Sequence, residues 1–419
     1  MKLDTPEFHS IFTPELRKLA LIFNRHGHEI RIVGGAVRDL LDGKKPSDLD
    51  FATSATPDQM KEMFEAESIR MINNKGEKHG TITPRINDKE NFEVTTLRTD
   101  VSTDGRHAEV EFTTDWKIDS ARRDLTINSM YLGLDGVLYD YFDGYEDLKK
   151  KRVVFVGNPD ARIKEDYLRI LRYFRFYGRI APSPDSHDKS TLKAIADNAA
   201  GLSQISGERI WSELSRILVG NYAKDIIETM LSLGLGPHIG LNHTEFLDIE
   251  CFEKICELSA KYTFKPITFI TSLFRSEDEV LNFHSRVKLS SFDRDLALFL
   301  IYHKCDGTEG KPPVNRLKPY QYLLICTKLP KELMREYIIE LLKFKDEEQL
   351  IKQFQSWTLP TIPINGHDVK SAGVKNNKEI GTILEALTAL WVESDFQLSK
   401  EELLQKLPGI LSQLQRNKA

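Results

Sequence analysis

The sequence has few cysteines, no long apolar run and no excess of positive charge. Its four cysteines, Cys251, Cys256, Cys305 and Cys326, show neither a CxxC pair nor metal-ligand spacing. This favours reduced, buried thiols over a disulfide framework or a zinc site. No window approaches the roughly 20 apolar residues that span a bilayer, so we expect no membrane partner. The net charge of −5 argues against a general nucleic-acid coat, and any RNA binding must use a local basic surface.

The 419 residues are too many for one core and suggest about two to four structural units. The first ten residues, MKLDTPEFHS, have neither the apolar core of a secretory signal nor the Arg-rich, acid-poor character of a transit peptide. We therefore expect no targeting segment in this chain, and leave open whether a longer precursor lost one.

The most informative pattern is RIVGGAVRDLLDGKKPSDLDFAT, over residues 31–53. A short apolar strand runs into Gly34–Gly35, which let the backbone turn and approach a phosphate closely. Arg38 follows in a helical segment, where it can add a charged fork to that phosphate. Asp48 and Asp50 then fall on one face of a predicted strand. Two carboxylates in this arrangement can bridge a pair of Mg²⁺ ions.

A glycine pair alone is usually a turn, and a DxD pair alone is usually a solvated strand edge. Their succession in one short unit resembles the DNA polymerase β-type nucleotidyltransferases. More closely, it resembles the class II tRNA nucleotidyltransferases (CCA-adding enzymes) and their bacterial poly(A) polymerase relatives. The segments GGAVRDLL and DLDFAT resemble the corresponding motifs of that family, including its metazoan type. The resemblance is specific over the first 220 residues and weaker beyond them.

Two further N-terminal segments bear on the site. Residues 91–98 (NFEVTTLR) alternate as a strand does, and Glu93 is either the third carboxylate common in polymerase β-type sites or a solvent-facing side chain. Residues 99–110 are polar and predict a mobile loop beside the site. This stretch is similar to the family's flexible loop, which implies a part in switching between nucleotides. The residues of this stretch whose side chains could bind or react are Asp104, Arg106 and His107.

Residues 120–132 (SARRDLTINSMYL) contain the family's RRDxxxN element. We predict that Arg122, Arg123 and Asp124 open a helix. Asp124 and Asn128 would then lie one turn apart on one face, where they could share the two hydroxyls of a sugar. The resemblance implies that Arg123 contacts the triphosphate and that Asp124 and Asn128 contact the ribose. The alternative is a helix cap with a buried amide.

Residues 161–179 (ARIKEDYLRILRYFRFYGR) predict one amphipathic helix. Its polar side carries Asp166, Arg169, Arg172 and Arg175, and arginines at this density favour an anionic ligand. The segment resembles the family's EDxxR element, which implies a template made of protein. Asp166 would accept from the exocyclic amine of cytosine or adenine, and Arg169 would donate to the ring nitrogen. Uracil and guanine would leave buried groups unpaired. Elsewhere, D-x-x-R commonly means a surface ion pair.

We predict an α+β chain with a polymerase β-like head and a small mixed sheet, followed by an all-α neck, body and tail. The predicted bounds are 1–150, 151–220, 221–330 and 331–419. The resemblance implies that Asp48 and Asp50 in the head hold two Mg²⁺ ions and that the neck selects the nucleotide. It also implies that the later helices hold the acceptor stem and elbow of tRNA.

The implied activity is template-independent addition of CCA to the 3′ end of tRNA from CTP and ATP by two-metal nucleotidyl transfer. We expect a monomer or weak homodimer in the mitochondrion, the cytoplasm or both, with the nucleus left open. A class II poly(A) polymerase and a catalytically silent RNA-binding protein are the alternatives. The intact Asp48 and Asp50 argue against the silent protein. A helical C-terminal half without a long basic tail favours CCA addition over poly(A) addition.

Overall fold

The computed structural model describes residues 1–72, 74–103, 108–242, 244–304, 316–374 and 377–416. The chain divides into two compact units. The first comprises Met1–Phe246 with Asn282–Lys288, and the second comprises Leu247–Leu281 with Leu289–Ala419. The α+β class is confirmed, because the described strands all lie in the N-terminal part and helices follow them. The division into head, neck, body and tail stays a prediction.

The first unit contains a mixed sheet. Its strands and those of a neighbouring ribbon, β1 to β10 in chain order, are Ile30–Val33, Asp50–Thr53, Arg70–Ile72, Thr81–Ile86, Glu90–Asn91, Glu93–Thr96, Arg98–Thr103, Ala108–Phe112, Tyr131–Gly133 and Leu138–Tyr139. The sheet order is β10-β9-β1-β2-β6-β4-β3, with β5 paired to β4. Strands β2 and β6 run parallel, and this register sets Asp50 beside Glu93.

Strands β7 and β8 form a separate antiparallel ribbon with a register shift between Asp100 and Ser102. The prediction of a loop over 99–110 was therefore wrong for its two flanks. A backbone ladder needs no apolar face, and β-branched residues such as Thr99 and Val110 favour extended backbone. The predicted loop residues Asp104, Arg106 and His107 lie outside the described residues.

Short helices pack around the sheet and continue after it. Those of the first unit, α1 to α11 in chain order, are Pro6–Ser10, Pro14–Arg25, Gly35–Leu41, Pro57–Ala66, Trp116–Ala121, Gly144–Lys149, Pro159–Glu165, Leu168–Ile180, Lys189–Asp197, Gly207–Leu218 and Ala223–Ser232. A threonine cap followed by proline starts both α2 and α4, because the cap satisfies an unpaired N–H and proline needs none.

The segment 161–179 is two helices rather than the single helix predicted. Asp166 ends α7 with extended backbone, at φ −154° and ψ 107°. Its Oδ1 accepts from the N–H of Leu168 at 3.1 Å, so the side chain takes over a role that the helical backbone would otherwise fill. The break sets Asp166 just ahead of α8 instead of on one continuous stripe with the arginines.

The second unit is helical in its described parts. The remaining helices, α12 to α21, are Ile249–Leu258, Pro266–Ser272, Glu277–Val287, Ser291–His303, Lys318–Cys326, Lys331–Phe344, Glu348–Ser356, Gly366–Ser371, Asn377–Glu393 and Lys400–Arg416. Helix α14 is divided, since its residues from Asn282 onward belong to the first unit. The last three helices enclose an apolar cluster around Leu387, Trp391 and Leu403. Within the described ranges, no helix combines the length and apolar character of a membrane span.

Gly207 at the start of α10 gives a test of close packing. A Cβ there would lie 2.3 Å from the carbonyl oxygen of Arg286 and 2.7 Å from the carbonyl carbon of Val287. We expect Gly207→Ala to lower the free energy of unfolding by about 1–3 kcal/mol, the usual cost of overpacking, as measured by urea denaturation. Gly381→Ala is the control, because a Cβ there meets nothing within 4 Å. Equal stability of the two variants would contradict the close approach.

Candidate active site

A cleft of about 1010 Å³ in the first unit gathers the predicted nucleotide-binding residues. One side is formed by the turn after β1, the start of β2 and the segment after α5, and the other by α8 and the end of α10. The lining residues are Gly34, Gly35, Arg38, Asp48, Asp50, Arg122, Arg123, Asp124, Asn128, Asp166, Arg169, Arg172, Arg175, Phe176, Gly178, Arg179, Arg216, Val219, Gly220 and Asn221. Eight of these are arginines and four are aspartates, so the cleft suits a polyanion.

The predicted phosphate turn is part of the cleft lining. Gly34 has φ 70° and ψ −127°, a conformation that only glycine adopts readily. Arg38 is 3% exposed, and its Nη1 donates to Oδ1 of Asn128 at 2.7 Å. Burial lowers the pKa of Arg38, and Arg179 adds to this effect. Its Nε is buried without a hydrogen-bond partner among the described residues. Arg38 thus links α3 to Asn128, and its contact with phosphate stays a prediction.

The two aspartates of the DxD pair occupy different local structures. Asp50 begins β2, whereas Asp48 precedes the strand, so the prediction that both lie on one strand was wrong. Strand β1 ends at Val33, which pairs with Asp50, and the chain then turns at Gly34. Asp48 therefore has no neighbouring β1 residue to pair with. Both aspartates still line the same cleft.

Glu93 lies next to Asp50 across the parallel pair β2 and β6, and both side chains are exposed. The next residue of each strand, Phe51 and Val94, is buried. Glu93 is thus close enough to Asp50 to serve as a third carboxylate of the site, although it is outside the residues that line the cleft. Its chemical role stays a prediction.

The RRD segment follows a helix rather than opening one, which corrects the prediction. Helix α5 ends at Ala121, and the next helical turn is the 3₁₀ segment Thr126–Asn128. Oδ1 of Asp124 accepts from the N–H of Leu125 at 2.8 Å, and the isolated bridge between Leu125 and Phe155 keeps the chain extended there. Asp124 and Asn128 are adjacent as predicted, since Nδ2 of Asn128 donates to Oδ1 of Asp124 at 3.3 Å.

The arginines of α8 are compensated by carboxylates of the protein. Nε of Arg172 donates to Oδ2 of Asp124 at 2.6 Å, and Nη1 of Arg175 donates to Oε1 of Glu213 at 3.1 Å. Burial alone would raise the pKa of Asp124, but the charge of Arg172 together with hydrogen bonds from Arg172, Leu125 and Asn128 lowers that pKa. Burial lowers the pKa of Arg175 to about 10, against the effect of Glu213. The density of arginines is thus explained in part by internal pairing.

Asp166 and Arg169, the pair predicted to select the base, also form hydrogen bonds with other protein groups. Oδ2 of Asp166 accepts from Nη2 of Arg209 at 2.8 Å. Nη1 of Arg169 donates to Oε2 of Glu165 at 2.7 Å, and its Nη2 donates to the main-chain oxygen of Arg122 at 2.8 Å. Both side chains are therefore held in fixed positions at one wall of the cleft.

Sequence reasoning missed several lining residues, among them Arg179, Arg216 and Val219. Arg179 is the next arginine of α8, four residues after Arg175, and could have been found from its position on the same helix. Its Nη2 donates to both carboxylate oxygens of Asp39 on α3, at 2.9 and 3.1 Å. Arg216 and Val219 carry no local signal, because only the packing of α10 against α8 brings them to the cleft.

Two family descriptions match parts of the chain. "Poly A polymerase head domain" matches residues 30–154, and "Probable RNA and SrmB-binding site of polymerase A" matches residues 187–244. The first range contains the sheet and the DxD pair, and the second contains α10 and α11.

Among curated proteins, "CCA tRNA nucleotidyltransferase 1, mitochondrial" of Homo sapiens is 53% identical over 404 residues, which covers 96% of this chain and 92% of the relative. Its Danio rerio counterpart is 52% identical, with 97% and 93% covered. Among solved structures, the Bacillus stearothermophilus CCA-adding enzyme in complex with CTP has a TM-score of 0.75 at 25% identity, covering 99% of this chain and all of that one. The Thermotoga maritima CCA-adding enzyme complexed with tRNA shares the fold, with a TM-score of 0.65 at 19% identity over 98% and 99% of the two chains. The chain therefore belongs to the class II CCA-adding family, the CCA tRNA nucleotidyltransferases.

Proposed function

We propose that this chain adds CCA to the 3′ end of tRNA from CTP and ATP without a nucleic-acid template. The observation that carries the proposal is the cleft itself, in which Asp48 and Asp50 share one cavity with Asp166 and Arg169. Reaction chemistry and base selection thus fit around a single nucleotide. The near full-length relatives named CCA tRNA nucleotidyltransferase support the same activity.

The nucleotide would lie with its triphosphate towards the glycine turn and Arg123. The two glycines leave room for a phosphate group, and the guanidinium of Arg123 supplies planar donors to its oxygens. Asp124 and Asn128 line the same cleft and would offer an acceptor and an amide to the ribose hydroxyls. Arg172 and Arg175 would hold this region in place from α8.

Base selection would follow from what Asp166 can accept and what Arg169 can donate. Cytosine and adenine both present an amine beside a ring-nitrogen acceptor, which matches this pair. Uracil and guanine present a carbonyl beside an N–H, so both protein groups would be left unpaired. Rejection of this kind is strong because unpaired buried polar groups are costly. A bound base would share or replace the contacts of Asp166 with Arg209 and of Arg169 with Glu165.

The carboxylates at the cleft fit a hard divalent cation. The described residues contain no group of three His, Cys, Asp or Glu side chains able to hold a metal by themselves. Mg²⁺ is commonly held by one or two carboxylates together with substrate phosphates, which is what Asp48 and Asp50 beside a triphosphate would offer. Two bound Mg²⁺ ions would supply activation of the tRNA 3′ hydroxyl and neutralisation of the leaving pyrophosphate.

The electrostatics of Asp50 agree with this fit. The surrounding protein limits its hydration, and the negative charges of Glu93 and Asp48 add to that effect. Together they raise the pKa of Asp50, although Arg123 opposes them. Since this pKa is higher than in an unfolded chain, the stabilising effect of protonated Asp50 is present in acid and is lost as the pH rises through the folded-state pKa. A cation would relieve the repulsion among these carboxylates.

We further propose that the chain acts in mitochondria, because the curated relatives carry that location in their names, and that the second unit contributes to binding tRNA. A class II poly(A) polymerase is the second candidate, favoured by the two family descriptions that name polymerase A. The assay below separates the two.

The first test offers the protein Mg²⁺, a tRNA transcript without its 3′ CCA, and each nucleotide alone and in combination. CTP alone should add two nucleotides, and CTP with ATP should add three and then stop, as seen on a sequencing gel. Asp50→Asn should abolish extension, whereas Asp58→Asn, an exposed aspartate of α4 away from the cleft, should not. Long tails from ATP alone would identify a poly(A) polymerase. Binding of tRNA without any extension would leave a silent RNA-binding protein.

A second test addresses base selection. Asp166→Ala removes the acceptor for the amine and should lower kcat/KM for CTP by about 10- to 100-fold, the value of hydrogen bonds to a charged group. The preference for CTP over UTP should fall at the same time, measured by single-nucleotide addition. Asp160→Ala on α7, whose partners are Lys164 and Asn198, is the matched control. An unchanged CTP preference in the Asp166 variant would refute the protein-template idea.

A third test concerns the pKa of Asp50. Glu93→Gln removes a neighbouring negative charge, so the pKa of Asp50 should fall. A ¹³C-carboxyl NMR titration of the metal-free protein would measure it, with Asp50→Asn used to assign the signal. Glu90→Gln on β5, whose carboxylate accepts from Thr13 at 2.8 Å, should leave the titration unchanged. If the Asp50 midpoint stayed in place in the Glu93 variant, the two carboxylates would not be coupled.

A further inference from the structure

A buried carboxylate behind the cleft collects donors from several functional elements. Asp119 lies on α5, is 1% exposed and is not among the residues that line the cleft. Its Oδ1 accepts from Nε of Arg122 at 2.9 Å and from the main-chain N–H of Arg98 at 3.0 Å. Its Oδ2 accepts from Nη2 of Arg123 at 3.0 Å and from the Tyr131 hydroxyl at 2.5 Å. These bonds use about all the acceptor sites of a carboxylate.

Asp119 is held in its ionised form. Burial by itself would raise the pKa of Asp119, but the positive charges of Arg123 and Arg122 outweigh it. Hydrogen bonds from Tyr131 and from the main chain of Arg98 act in the same direction, and the pKa lies far below its ordinary range. Asp119 is therefore an anion at any pH at which the protein would work, and its attraction for the two arginines is constant.

Three of the four donors, all of them arginines, lead to different parts of the proposed reaction site. Arg123 lines the cleft on the side of the triphosphate. The main-chain oxygen of Arg122 accepts from Nη2 of Arg169 at 2.8 Å, and Arg169 is the proposed donor to the base. Arg98 is the first residue of β7, the strand that leads into the predicted nucleotide-switching loop. The Asp119 carboxylate thus connects Arg123, the main chain that holds Arg169, and the first residue of β7.

Helix α5 is itself fixed on the sheet, so Asp119 is a stable reference point. Trp116 on the same helix meets the Tyr131 ring edge to face, with centroids 5.0 Å apart. The guanidinium of Arg31 lies 3.9 Å from the Trp116 ring and 3.4 Å from the Tyr139 ring. Such cation–π contacts and aromatic pairs stabilise the packing of α5 on the sheet. Movement of Asp119 would have to break them.

We propose that Asp119 is a positioning residue for nucleotide transfer. It holds Arg123 in place for the triphosphate, holds Arg169 through the main chain of Arg122, and ties both to the start of the β7–β8 ribbon. This inference rests on the proposed function. Asp119 does not touch the substrate, so its effect would appear in nucleotide binding and base discrimination rather than in tRNA affinity.

The test compares Asp119→Asn with the wild-type protein in CCA addition. The amide keeps the shape of the side chain but loses the charge and one of the two acceptor oxygens. We expect KM for both CTP and ATP to rise by about 10- to 100-fold, as for loss of a charge-assisted hydrogen bond. The preference for CTP over UTP should fall by about tenfold, while Kd for tRNA stays within about twofold.

Two controls separate positioning from stability. Asp147→Asn makes the same change at a carboxylate that is 3% exposed and bonded to Oγ1 of Thr126 at 2.7 Å and Nε of Arg152 at 3.0 Å, away from the cleft lining. It should lower the melting temperature without changing base discrimination. Tyr131→Phe removes only one neutral donor to Asp119 and should leave KM for CTP near the wild-type value.

A double variant keeps the test decisive if Asp119→Asn folds poorly. Asp119→Asn with Arg122→Met removes one charge of each sign, so it avoids an uncompensated buried charge. It should still show a higher KM for CTP than Arg122→Met alone, because Arg123 has lost its anchor. Equal KM values and equal discrimination in these two proteins, or the same behaviour in the Asp119 and Asp147 variants, would overturn the inference. Absence of extension by the wild-type protein would instead refute the proposed function.

Discussion

The cleft depends on the pairing of its arginines with buried carboxylates. Several guanidinium groups converge on one cavity, and they would repel one another without Asp119, Asp124 and Glu213 behind them. Arginine suits this arrangement because it stays charged when buried and presents several donors in fixed directions. Breaking one buried pair by removing a single partner typically costs about 3–5 kcal/mol. The same pairs that keep the fold intact therefore also set the direction of the donors that a nucleotide would meet.

The motifs allowed much of this site to be predicted from the sequence. The glycine turn, the DxD pair, the RRD segment and the arginines of α8 were expected to meet, and they line one cleft. Their spacing is local, so it survives in the sequence. The break at Asp166 was not foreseen, because a single side-chain hydrogen bond decides between two helices and one. Asp48 was misplaced for a related reason: the length of β2 is set by where β1 ends, which is a tertiary property.

The supporting residues were the least accessible to sequence reasoning. Asp119 belongs to no motif that was singled out in the sequence, and its partners are fixed by the packing of α5 against the sheet. The ribbon β7–β8 was missed because its sequence shows no regular alternation of apolar residues, whereas its backbone can pair without one. Local pattern thus indicates which groups can react or bind, whereas the groups that hold them become visible only when the chain is folded.

The carboxylates of this region fall into two electrostatic classes, and the difference separates support from reaction. Asp119 and Asp124 have lowered pKa values because the arginine charges and the hydrogen bonds that they accept together outweigh the effect of burial. Asp50 has a raised pKa, since limited hydration by the surrounding protein and the charges of Glu93 and Asp48 outweigh the effect of Arg123. A fold selected for stability alone would not leave exposed carboxylates side by side in this way. Uncompensated negative charge at Asp50 is expected of a group that binds a cation. Asp50 lines the cleft in which a triphosphate, with its associated cations, would bind.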